Sequence, residues 1–204
     1  MGTWQFWHKG KYREAFFSHI TSSVELDSIL AVWQAQAKGS SHRTLYKTDS
    51  EAAFWDWHSY LDIGRALFCL RDKSSGEILA LAAFLLIAQN SNKDPCIAVS
   101  LIAKAPWLLL GDRKAKIPSL SGRVSGIAEV VLVYSMWISY EDTRTDGLVT
   151  LPEVVDDRMF KESLKHGFHL VGRRSRSDLP SGWVYSLENT ENEANIRLRA
   201  WNLL

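Results

Sequence analysis

The stretch Arg123-Val124-Ser125-Gly126-Ile127-Ala128 has residue types and spacing suited to holding an anion. Gly126 lets a phosphate approach the backbone closely, and Ala128 keeps the first turn of a following helix thin. The opening N–H groups of such a helix have no partner of their own and carry partial positive charge. Arg123 adds a cation beside them. The same residues also suit a plain capped helix start after a Ser/Gly loop. A second basic group, Arg173-Arg174-Ser175-Arg176, could meet an acidic substrate or an RNA backbone, or could be a solvated loop. Asp56 and His58 are acid–base candidates within an aromatic segment. Most such groups are surface or satisfied core residues. Cys69 and Cys96 lie in apolar runs, without zinc spacing and too few for a disulfide scaffold, so they read as small buried hydrophobes in a reduced, cytoplasmic setting.

Elements must position these groups. With 204 residues, the chain fits one domain with a sizeable core. Its 24 basic and 23 acidic residues leave a net charge of +1, which argues against a dedicated nucleic-acid binder. The first eleven residues hold no apolar stretch of signal-peptide length, and no apolar run reaches about 18 residues, so neither a signal peptide nor a membrane span is expected. Nine tryptophans are read mostly as core anchors.

Residues 3–8 and 15–20 alternate as short strands. Ser22 or Ser23 caps a helix to Ala37, with Leu26, Ile29, Leu30 and Trp33 on one face. Asp49 or Ser50 caps a second helix to about Leu61. Residues 66–71, 77–89 and 96–105 read as strands, the latter two buried on both faces, and Pro106 ends the third. A helix over 126–141 turns Ala128, Val131, Leu132, Ser135, Met136 and Ile138 or Ser139 inward. A strand at 147–151, a helix over 156–166 closed by Gly167, strands at 168–171 and 183–187, and an amphipathic helix over 191–201 complete the chain. From residue 15 to 188 the order is β, α, α, β, β, β, α, β, α, β, β. It predicts a mixed α/β fold with helices on both faces of one sheet.

This order resembles the GCN5-related N-acetyltransferase superfamily. Residues 123–128 match that family's Arg/Gln-x-x-Gly-x-Gly/Ala signature. A short strand follows at Gly147-Leu148-Val149-Thr150-Leu151, and Lys165-His166-Gly167-Phe168 ends a helix as the family's Gly-Phe does. The likeness in motifs covers about residues 98–171. It implies a mostly antiparallel central sheet in a single domain over 1–204, with an N-terminal strand extension over about 1–14 and a C-terminal helix over about 190–204.

The resemblance further implies transfer of an acetyl or longer acyl group from acyl-CoA to an amine, by direct attack. Acetyl-CoA or a longer acyl-CoA would be the donor substrate, with the pyrophosphate at 123–128. A bulge in the strand before the signature, near Ile102, Ala103 and Lys104, would polarise the thioester carbonyl through a freed N–H. The acceptor would be an amine-bearing small molecule or a peptide, with an aminoacyl-tRNA also open. Glu153 stands at the expected cleft edge as a base, and the segment of Asp56 and His58 corresponds to the acceptor pocket.

Two departures stand out. The link from Pro106 to Arg123 is long. Either Trp107-Leu108-Leu109-Leu110 prolongs the strand with Asp112–Lys116 as a solvated loop, or the apolar half lines an acyl channel and the basic half meets CoA phosphates. Second, the family's general-acid Tyr is replaced by Ser163, a poor acid that could hold a water or be a helix-surface residue. Tyr134 is not at the matching position. A fold that binds without catalysing is therefore the rival reading, and a different α/β fold with a chance signature is a third.

Overall fold

A computed structural model describes residues 3–38, 56–61, 64–109, 124–155, 157–178 and 182–204. Arg123, Asp156 and most of the predicted second helix lie outside them, as do residues 110–122. The strands are β1 (Trp4–His8), β2 (Lys11–Ile20), β3 (Arg65–Asp72), β4 (Ile78–Gln89), β5 (Pro95–Lys104), β6 (Val124–Ser125), β7 (Val149–Val154), β8 (His169–Ser175) and β9 (Trp183–Glu188). The helices are α1 (Ser23–Lys38), α2 (Ile127–Glu141), α3 (Asp157–Lys165) and α4 (Glu191–Ala200). Among the described residues nine strands run in the order β6-β1-β2-β3-β4-β5-β7-β9-β8. β5 and β7 pair in parallel, while β1–β2, β1–β6, β2–β3, β7–β9 and β8–β9 are antiparallel.

The chain divides into two compact units, one of residues 1–83 and 101–127, the other of 84–100 and 128–204. In the first, Lys9 and Gly10 have φ of 49° and 76°, the two left-handed positions of a tight hairpin turn. That turn sets the register Trp4↔Ala15 to His8↔Lys11. β2 therefore begins four residues earlier than alternation alone indicates, because the hairpin supplies its partners. The N–H of Val24 donates to Ser22 Oγ at 3.2 Å, so Ser22 caps α1. The helix buries Leu26, Ile29, Leu30 and Trp33, as predicted. Of the second helix, the described end is a 3-10 turn, Trp57–Tyr60, anchored by fully buried Trp57.

The β3–β4 turn is built around Asp72. Its carboxylate accepts from Arg13 Nε (3.0 Å) and Nη2 (2.7 Å), from the Ser74 hydroxyl (2.8 Å) and from the Ser75 N–H (3.1 Å). Burial pushes the Asp72 carboxyl up. The bonds from Arg13, Ser74 and Ser75 outweigh burial and hold it below the ordinary carboxylate range.

In the second unit, α2 is buried on all sides from Val130 to Met136, not along one stripe as the inner-face reading has it. A helix apolar all round is a central helix. Asn189 ties the start of β7: its Oδ1 accepts from the Val149 N–H at 2.6 Å and its Nδ2 donates to the Gly147 carbonyl at 3.0 Å. Buried Glu188 clamps the β4–β5 loop by accepting from the Ser91 N–H and hydroxyl, each at 2.7 Å. Thr190 caps α4 by accepting from the Glu193 N–H at 3.2 Å. β4 is buried on both faces only over its first half, where the both-faces expectation holds.

Candidate functional site

The donor-side candidates 102–104 and 124–127 fall in the first unit, and Ala128 opens the last segment of the second. β6 is held by β1 through Trp7↔Ser125 and His8↔Val124. The N-terminal extension is therefore a hairpin whose first strand fixes the signature turn. Gly126 follows with φ of 84°, a left-handed position that favours glycine, and α2 begins at once with Ile127. Ser125 is exposed, Val124, Gly126 and Ala128 are half-buried, and Ile127 is buried. The turn thus leaves backbone within reach of solvent at the point where a helix presents N–H groups without intrahelical partners.

Ile102 and Lys104 are half-buried near the end of β5, and Ala103 between them is buried. β5 pairs with β7 through Ile97↔Val149 and Ala98↔Thr150 and then runs six residues further, to Lys104. The Ile97 N–H points to the β7 side, donating to the Leu148 carbonyl at 3.1 Å. The Ala105 N–H instead donates to the Leu79 carbonyl of β4 at 2.9 Å. Residues 97 and 105 have the same parity and would face one neighbour in an unbroken strand. The hydrogen-bonding direction of the chain therefore reverses between them, as a bulge or strand exit requires. Beyond it, residues 106–109 form one helical turn (Pro106–Leu109) packed against α1. This corrects the reading of 107–109 as a prolonged strand, while Leu110 lies outside the described residues. Proline at a first helical position needs no N–H partner and has φ already set for helix.

The acid–base candidates of the second unit already have partners. Glu153, exposed on β7, is ion-paired to Arg174 of β8. β7 changes register against β9 between Leu151 and Val154, where Pro152 cannot donate to the ladder. Ser163 is fully buried, and its hydroxyl donates to the Met159 carbonyl at 2.9 Å, so it is not a helix-surface residue. Its carbonyl also accepts from the N–H of His166 (3.0 Å) and of Phe168 (3.2 Å), closing α3. Tyr134 is buried against Phe84 and Trp137, with ring centroids 6.2 and 5.8 Å away, and burial pushes its phenol well up. Cys69 and Cys96 are free, buried thiols. Burial, with Glu188 and Asp94 adding to it, pushes Cys96 up to about 11.

Asp56 and His58 are parted from the donor-side residues within the first unit. His58 Nε2 meets Asp27 Oδ1 at 2.9 Å, near the start of α1. α1 follows Ile20, which pairs with Leu67, whereas the β3 end at Asp72 pairs with Ala15. Ala105 lies beside Leu79, just after the turn that follows Asp72. The His58–Asp27 pair therefore sits at the opposite end of these strands, some five residues or about 17 Å along them.

Residues 173–175 of the basic cluster are strand and not loop, and only Arg176 follows the strand. β8 extends to Ser175, paired with Trp183. Arg176 is ion-paired to Asp178. The Arg173 guanidinium lies 3.4 Å from the Trp183 ring centroid and 5.8 Å from that of Tyr185. Sequence reasoning missed this stack. The alternation of Arg173 on one strand with Trp183 and Tyr185 on the next was the available signal.

No family model matches the sequence, and no curated protein matches it. Solved structures do. A Corynebacterium glutamicum protein described as histone acetyltransferase HPA2 and related acetyltransferase is 12% identical, with 86% of this chain and 96% of that one covered at a TM-score of 0.52. An aminoglycoside N(6')acetyltransferase of Legionella pneumophila is 11% identical over 90% and 95%, with a TM-score of 0.53. FeeM, an N-acyl amino acid synthase from uncultured soil microbes, is 8% identical over 93% and 99%, with a TM-score of 0.55. At these identities the likeness is one of fold. The chain has the mixed, mostly antiparallel fold of GCN5-related N-acetyltransferases. Among the described residues no helix is long and apolar enough to cross a membrane.

Proposed function

We propose that this chain, carrying that fold, transfers an acetyl or longer acyl group from an acyl-CoA to an amine by direct attack. One observation carries the reading: left-handed Gly126 is pinned between β6, paired to β1, and the first turn of α2. The turn's residue types fit a diphosphate, since a glycine without Cβ stands where helix N–H groups begin. In this proposal Val124, Ser125, Gly126, Ile127 and Ala128 hold the pyrophosphate, with Arg123 supplying charge beside it. Backbone near Ile102, Ala103 and Lys104 polarises the thioester carbonyl as negative charge develops on its oxygen.

The amine nitrogen attacks that carbon, its bond to carbon forms, and the carbon–sulfur bond breaks to release the CoA thiolate. Glu153 takes the proton lost by nitrogen, directly or through water. Both cysteines are buried, and Cys96 is held far from its thiolate form, which favours direct transfer over an acyl-cysteine route. Ser163 serves as proton donor to the thiolate only if it leaves the Met159 carbonyl, so water is the simpler source.

That same bond favours a second reading, a CoA-binding protein without catalysis. Thermal shift with CoA and acetyl-CoA tests the shared premise, and thiol release with an amine panel separates the two. Stabilisation by CoA together with amine-dependent thiol release supports transfer. Stabilisation alone supports the binder, and no stabilisation removes both.

A further inference from the structure

Tryptophans in this chain are mostly core residues, and Trp4, Trp33 and Trp57 are buried. Trp7 departs from that pattern. Of the tryptophans whose side chains are described, it alone is exposed, at 41%. Tyr12, 68% exposed, stands directly opposite it in the β1–β2 ladder. The two ring centroids are 4.9 Å apart and the planes cross at 79°, an edge-to-face pair. Such a pair uses one face of one ring, so each ring keeps an open face. Tyr12 also holds the indole in place before any ligand arrives, so less freedom is lost on binding.

The position of this pair gives it a ligand. β1 turns Trp4, Phe6 and His8 inward and Gln5 and Trp7 outward. Across its other edge, Trp7 stands opposite Ser125, the residue before left-handed Gly126. Residues directly opposite in an antiparallel ladder point to one face, with Cβ atoms about 5 Å apart. Trp7 and Ser125 are both exposed, so the aromatic pair and the turn share one open face within the first unit. The acidic residue on that face, Glu14 opposite Gln5, is ion-paired to Lys73 at 2.7 Å and does not repel phosphate. A flat apolar platform beside an anion-holding turn suits a ligand that carries both a diphosphate and an aromatic base. In CoA a single ribose separates the two. We infer that Trp7, braced by Tyr12, stacks on the adenine of CoA, so the site takes its donor as a CoA thioester and not as a phosphopantetheine thioester lacking the nucleotide. This rests on the proposed donor site at the Gly126 turn, because it names the part of the donor that the neighbouring strand holds.

The test titrates the full chain with CoA and with 4′-phosphopantetheine, which keeps the arm and one phosphate but has no base. The wild type should prefer CoA by at least about tenfold. Trp7→Leu keeps the backbone N–H, and so the ladder to β6, but removes the platform. It should weaken CoA binding by about fivefold to a hundredfold and leave phosphopantetheine binding unchanged. Trp7→Phe, which keeps a flat ring, should retain most of the affinity. Tyr12→Ala removes only the brace and should cost about threefold. Etheno-CoA, whose base fluoresces, should be quenched on binding the wild type and less so on Trp7→Leu. Thermal midpoints show that each variant is folded, and Trp7→Gln serves if the Leu variant is not.

Equal CoA affinity in the wild type and in folded Trp7→Leu overturns the inference. So does a parallel loss for both ligands, which would make Trp7 a support of the turn only. Tighter binding of a short single-stranded RNA than of CoA, lost in Trp7→Leu, also overturns it and assigns the platform to a nucleic acid. The two readings fail separately. Trp7-dependent CoA binding without thiol release to any amine removes acyl transfer and leaves the stacking, whereas thiol release with CoA affinity indifferent to Trp7 does the reverse.

Discussion

The turn at residues 124–127 and the β7–α3 stretch around Glu153 and Ser163 hold their chemistry in opposite ways. In the proposed reaction the useful groups at the turn are backbone amides. They are aimed by a left-handed glycine and by a two-residue ladder to β1. In the β7–α3 stretch the useful groups are side chains, and both already have partners: Glu153 has Arg174, and Ser163 has the Met159 carbonyl. A backbone site is available as soon as the chain folds. A side-chain site must exchange a standing partner for the substrate, so its function depends on how easily that partner leaves. An exposed ion pair is worth at most about 1 kcal/mol and yields readily. A buried hydroxyl bound to a carbonyl does not.

This contrast can be sharpened by substitution. The largest effect is expected from Asp72→Ala. It removes a fully buried carboxylate and leaves Arg13 unpaired, so urea unfolding should show a loss of about 3–5 kcal/mol. The Asp72 carboxyl is held below its unfolded value, so its contribution is full above about pH 4 and is lost as pH falls through the lower folded value. An acid-unfolding midpoint unchanged in Asp72→Asn would contradict this.

Next comes Glu153→Gln, expected to lower kcat by about tenfold to a hundredfold with CoA affinity intact. A loss of CoA affinity instead would erase the division between the two regions. Trp7→Pro deletes a donor from the strand that holds β6, and should weaken CoA binding by about tenfold through the turn it supports. Calorimetry checks it, and unchanged affinity would mean that β1 does not position the turn. The smallest effect is expected from Ser163→Ala, at most about threefold in kcat, since the hydroxyl serves the helix. A drop of a hundredfold would make Ser163 the proton donor after all.

How legible each part was in the sequence follows the same division. Elements set by local pattern were readable. Leu26, Ile29, Leu30 and Trp33 gave the α1 face, Gly167 gave the end of α3, and Pro106 gave the end of β5. Gly126 could be placed because left-handed backbone before a helix demands glycine, whatever the fold. What depended on distant partners was not readable. The β1–β6 ladder joins residues over a hundred positions apart. α2 is buried on every side from Val130 to Met136, and its own sequence does not show what packs on it. Ser163 looked like a surface residue because one helical turn of sequence does not show what packs on it. Arg173 looked like loop charge because its aromatic partner lies ten residues on, across a strand pairing that the polar hairpin between β8 and β9 conceals.

The central claim is that amides at the Gly126 turn grip the diphosphate of CoA. Isothermal titration of CoA into the wild-type chain and into Gly126→Glu tests it most directly. Saturable binding by the wild type and at least about a hundredfold weaker binding by the folded variant is the predicted result, since the substitution puts a bulky anion into a left-handed position facing the phosphates. Equal affinity in the two proteins, or no binding by the wild type, would contradict it.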